Sequence, residues 1–105
     1  MTNDELLDQC ARFAAAEREY IAAKAEWEIA SRELNQHVGR DRMGYATVPG
    51  EVAYAAQLAS ERYDVAAERR DAELDELKHA ATVWLAEREA AAIASSSVDN
   101  SGGGA

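Results

Sequence analysis

One proline, one cysteine and one phenylalanine occur in 105 residues, and the six glycines fall only at 39, 44, 50 and 102–104. The lone Cys10 excludes an internal disulfide and fits a reducing compartment, so the cytoplasm is the expected location. Basic charge is also scarce: 11 Lys and Arg stand against 20 Asp and Glu, a net charge of −9. Binding to nucleic-acid phosphates needs clustered cations, so no direct nucleic-acid partner is expected. No apolar run approaches the roughly 18 residues of a membrane span. The start, Met1-Thr2-Asn3-Asp4-Glu5, lacks the basic and apolar regions of a signal peptide. Alternating β-branched runs are absent, so no strand is expected. There is no G-x-x-x-x-G-K, no nucleophile elbow and no Cys-x-x-Cys, and Cys10 has no oxyanion donors near it in the sequence. The chain therefore reads as a non-enzyme without catalytic residues, cofactor or small-molecule substrate.

Alanine, at about 23 % of the chain, fills the space that these absences leave, and it is the strongest helix former. Arginine outnumbers lysine nine to two. With the alanine excess, this points through the genetic code to a GC-rich bacterial or phage origin. Leu6, Phe13, Tyr20, Trp27 and Leu34 form a seven-residue ladder, with Ala16, Ala23 and Ala30 between the rungs. Residues three, four and seven apart share one helix face, so this is a seam that a second helix can approach closely. Thr2 to Glu5 has the capping-box spacing, and Gly39 suits a C-cap, which predicts a first helix over 3–38. Residues 39–49 form a loop punctuated by Gly39, Gly44 and Pro49, whose Arg40 and Arg42 are placed to cap the carbonyl end of that helix.

A second helix is expected over 50–94, with Val52, Ala56, Ala59, Tyr63, Ala66, Ala67, Leu74, Leu77, Ala81, Trp84 and Leu85 on one wide face. Residues 95–105, rich in Ser and Gly, read as a flexible tail after a 1–94 hairpin. Two long helices and a short loop give an all-α, coiled-coil-like antiparallel hairpin. A turn near Gly44 pairs residues whose numbers sum to about 88, which sets Trp27 by Tyr63 and Arg70 by Glu17.

Three features bear on function. Tyr54, Leu58, Val65, Ala72 and Val83 lie behind the second helix, and Leu7, Ala14, Ile21 and Ile29 flank the first. A hairpin cannot cover them itself, so assembly into a dimeric four-helix bundle or burial against another protein is expected. Glu61, Asp64, Glu68, Asp71 and Asp75 are spaced three, four, three, four, an acidic stripe suited to a basic partner. Glu76-Leu77-Lys78-His79 resembles the E-x-x-H metal motif of ferritin-like di-iron proteins over those four residues. That family also takes a glutamate from another helix. Here Glu76 and His79 fall away from the Leu77/Trp84 seam, so neither is assigned as a ligand. A helical hairpin near 100 residues is similar to the WXG100 family, but no tryptophan lies between Val38 and Gly50 to form its Trp-x-Gly turn.

The expected function is protein binding by a small acidic adaptor, inhibitor or assembly factor. Its partners are a second copy and a basic protein whose surface it occludes. Tyr54, Leu58, Val65, Leu7 and Ile21 are the candidate apolar contacts, with the acidic stripe beside them. A purely structural scaffold, or the ferritin-like hairpin, is the alternative.

Overall fold

The computed structural model describes the backbone of residues 1–103 and the side chains of residues 1–96. It is a long antiparallel α-hairpin, with extents of 96 × 22 × 14 Å. Helix α1 spans Asn3–Gln36 and helix α2 spans Gly50–Gly103. Between them, β1 (Gly39–Arg40) pairs antiparallel with β2 (Ala46–Thr47).

Thr2 caps α1. Its Oγ1 accepts from the Glu5 amide at 3.2 Å, which satisfies one of the four amides a helix start leaves free. The Glu5 carboxylate turns back to the Thr2 hydroxyl at 3.3 Å, not to its amide. The other end departs from the expectation over 3–38. His37 is the C-cap, and its Nδ1 donates to the Glu33 carbonyl at 2.8 Å. Gly39 is not the cap; it opens β1, where a Cβ would meet Thr47 Oγ1 at 3.2 Å.

The loop is a small β-ribbon rather than strandless coil, and one side chain builds its turn. The Asp41 carboxylate accepts from the amides of Met43 and Tyr45, both at 2.9 Å. Gly44 sits at φ +83°, a region that suits glycine. Arg40 donates to the Gly44 carbonyl at 3.0 Å, so it braces the turn and does not cap α1.

At the far end, α2 continues past Ala94, where composition places the start of a tail. Alanine and serine offer no barrier there; the first strong helix breakers are Gly102 and Gly103. The rest of the expected tail, residues 104–105 and the side chains from 97 on, lies outside the described residues.

The helices meet along an alanine spine. Ala16, Ala23, Ala59, Ala66 and Ala80 are buried, and among the described residues no large side chain is fully buried. Small residues let two helix backbones come close, and long side chains then have to lean aside. Among the described residues, Gln9 is the one buried polar residue. Its Nε2 donates to the Glu73 side chain at 2.8 Å and to the Glu73 carbonyl at 3.3 Å, as a buried amide must.

The register is the one expected. Glu19 takes Arg69 at 2.7 Å, Glu26 takes Arg62 at 3.8 Å, and the Met1 amine meets Glu87 at 2.6 Å. Trp84 Nε1 and Arg88 both donate to Asn3 Oδ1, at 2.8 and 2.7 Å, and Arg88 lies over the Trp84 ring. Leu85, expected on the inner face, is 52 % exposed. A straight helix drifts about 20° per heptad, and this carries Leu85 off the seam while Trp84 stays beside it.

Candidate functional site

The side chains that lean aside do so in an ordered way. Tyr20 and Trp27 each stack on Tyr63 with ring centroids 5.5 Å apart, and the Tyr20 and Tyr63 hydroxyls are 3.1 Å apart. The Arg70 guanidinium lies 4.4 Å above the Tyr20 ring, and its Nε is 3.3 Å from Glu17. The expected Glu17–Arg70 pair therefore forms. This is one broad side of the hairpin, aromatic and half-buried.

The opposite broad side is crossed by the Glu19–Arg69 and Glu26–Arg62 pairs. Between these pairs runs an open groove of about 480 Å³, floored by Ala22, Ala23 and Ala66 and walled on α2 by Leu58 and Val65. Further toward the helix ends, a second pocket of about 240 Å³ takes in Glu5, Asp8, Gln9, Arg12, Glu76 and His79. Glu76 and His79 thus line a pocket with α1 residues. Among the described residues, no group of three or more His, Cys, Asp or Glu side chains is placed to hold a metal ion. Cys10 is exposed, and it does not line that pocket.

The structure divides the apolar candidates. Leu58 and Val65 share the groove, and Leu7 and Ile21 do not enter it. Leu7 (65 %), Ile21 (58 %), Tyr54 (67 %) and Val65 (66 %) are all more than half exposed, while Leu58 is half-buried. The acidic stripe Glu61, Asp64, Glu68, Asp71 and Asp75 is exposed throughout, and Glu61 also borders the groove. The sequence offers two readings of the 39–49 loop, a solvated turn or a contact loop anchored by Tyr45. In the structure Met43 (82 %) and Tyr45 (69 %) stand out from a hydrogen-bonded frame, for which an Asp followed by Gly three residues later is the signal.

Among the described residues, two groups titrate away from their ordinary range. The hydrogen bond to Glu87 raises the pKa of the Met1 amine. The hydrogen bond that the Tyr63 hydroxyl makes to Tyr20 holds the protonated phenol and raises its pKa, and burial adds to it. Tyrosine in the unfolded chain ionises near pH 10, before folded Tyr63 does, so the folded state holds more protons there. Stability contributed by Tyr63 is complete below about pH 10 and is lost as pH rises through the folded pKa. Thermal melts of the wild type are expected to shift down above about pH 10, with a smaller slope in Tyr63→Phe. Equal slopes would show that the hydroxyl pair carries no stability.

No protein-family model, curated protein or solved structure matches the chain. The functional reading therefore rests on the surfaces themselves. Among the described residues, no helix is long and apolar enough to cross a membrane.

Proposed function

We propose that the hairpin is a non-catalytic protein-interaction module, cytoplasmic and of bacterial or phage origin, that associates with itself and covers the surface of a basic partner. The observation that carries this reading is the missing cover. No large side chain among the described residues is fully buried, and Leu7, Ile21, Tyr54 and Val65 are each more than half exposed. Covering one leucine-sized side chain yields about 1.5–3 kcal/mol, and association costs at least about 4 kcal/mol in lost freedom. Two or three must therefore be covered together, and Leu58 and Val65 on one groove wall meet that condition with Tyr54 one turn before Leu58. The acidic stripe beside them selects a basic partner and speeds its approach. Mechanistically this is occlusion: the partner's own binding surface is filled by an apolar strip and an acidic flank.

Sedimentation equilibrium over a wide concentration range is expected to show the mass of two chains. The Leu58→Asp/Val65→Asp variant should stay folded, since both positions lie off the alanine spine, and should lose any protein that the wild type retains from its host extract. Identical retention by the two would remove the groove wall from the function.

A further inference from the structure

We propose that two copies of the hairpin close into an antiparallel four-helix bundle through the aromatic side, with the two-fold axis crossing beside Tyr20. This rests on the reading that the chain associates with itself, and it adds the face and the direction.

The two broad sides are not equivalent. One carries the exposed Glu19–Arg69 and Glu26–Arg62 pairs, which would have to be desolvated if covered. The other carries the ladder residues and Tyr63, half-buried in a single copy, with Trp27 still 38 % exposed. Covering that side hides apolar area and takes in the Glu17–Arg70 pair, whose guanidinium already lies over the Tyr20 ring at the axis.

The ladder itself supplies the direction. Read from either end, it runs leucine, aromatic, tyrosine, aromatic, leucine. A two-fold axis across the ribbon at Tyr20 lays α1 on α1 of the second copy in reverse. Leu6 then meets Leu34, Phe13 meets Trp27, and Tyr20 meets itself. An axis along the ribbon would lay α1 on α2 and leave that symmetry unused.

Charge agrees with the reversed alignment. Lys24 is exposed, one heptad from Glu17 on the same flank of α1, and among the described residues it has no carboxylate within 4.0 Å. The axis at Tyr20 brings Lys24 of each copy beside Glu17 of the other, twice over. The same operation sets the turn of one copy, with Met43 and Tyr45, roughly level with Ile93 of the other. That part of α2 runs on beyond the start of α1, and Ile93 is 70 % exposed. The area suffices: α1 is about 51 Å long at 1.5 Å per residue, and the hairpin is 22 Å wide. Roughly 1,000 Å² per copy is then available, against about 800 Å² in a standard stable interface.

Spin labels measure the arrangement directly. One goes on the native Cys10, which is exposed, and one on Met43→Cys in a Cys10→Ser background. Around an axis at Tyr20, the distance between copies grows by about 3 Å per helical residue. The Cys10 label is expected at about 30 Å and the Met43→Cys label beyond about 60 Å, whereas a parallel bundle keeps both under about 25 Å. Lys24→Glu is expected to weaken the dimer by about tenfold. A dimer with the graded distances supports the arrangement. A dimer with two short distances, or one indifferent to Lys24→Glu, overturns it and leaves self-association standing. A single chain at every concentration by sedimentation overturns both.

Discussion

Ala16→Leu is expected to lower the melting temperature of the hairpin by roughly 10–20 °C, more than any other substitution considered. Ala16 has 0 % exposure and sits in the spine where the two helices face each other. A leucine there must adopt a strained rotamer or push the helices apart. Overpacking costs about 1–3 kcal/mol, and each kcal/mol moves the midpoint of a domain this size by roughly 4–8 °C. Separation would also loosen the Tyr20–Tyr63 stack and the Glu19–Arg69 pair, which both depend on the helix spacing. Leu7→Ala, at a position 65 % exposed, is the control and should change stability by less than about 0.5 kcal/mol. Circular-dichroism melts of the two variants decide the matter: similar shifts would mean that close approach of the helices does not hold the hairpin together.

Glu17→Ala is expected to destabilise more than Arg70→Met, by about 1 kcal/mol or more against a few tenths. The Arg70 Nε has no exposed surface and no hydrogen bond, and the Glu17 carboxylate at 3.3 Å is its nearest counter-charge besides Asp71 at 3.9 Å. Removing the glutamate leaves that charge poorly compensated. Removing the arginine while keeping an unbranched stem leaves Glu17 free to turn to water. Both side chains are about a third exposed, at 31 % and 36 %, so the figures sit well below those of a fully buried pair. Urea titrations that show the reverse order would mean that the pair does nothing beyond the packing of the arginine stem on Tyr20.

Much of the architecture was legible because it follows from period alone. The ladder with its interleaved alanines predicts the seam, and a turn near Gly44 then fixes which residues meet; Trp27 beside Tyr63 and Glu17 beside Arg70 follow from that arithmetic. Three things were not legible. Gln9 as a core residue depends on Glu73 offering two acceptors across the seam, which no one-helix pattern encodes. The β-ribbon is too short for an alternation of side chains to register; it is held by Asp41 and by a glycine at positive φ. The partition of the large side chains to one broad side is set by the closeness of the alanines, a three-dimensional quantity. The pattern places ladder and alanines together on one seam without ranking them. The structure makes alanine the core and the ladder its half-covered margin.

The cross-helix ion pairs also bear on how the rod answers a shearing force. Sliding α2 by one heptad in one sense would bring Arg12 against Arg69; in the other, Glu19 would face Glu76. Each step adds a repulsion but also forms new pairs, Glu19 with Arg62 in the first sense and Glu26 with Arg69 in the second, and the alanines would mesh nearly as well after it. The rest positions are therefore one heptad apart, with the native one favoured by charge. A pull along the axis should meet discrete jumps of one heptad in place of gradual slippage.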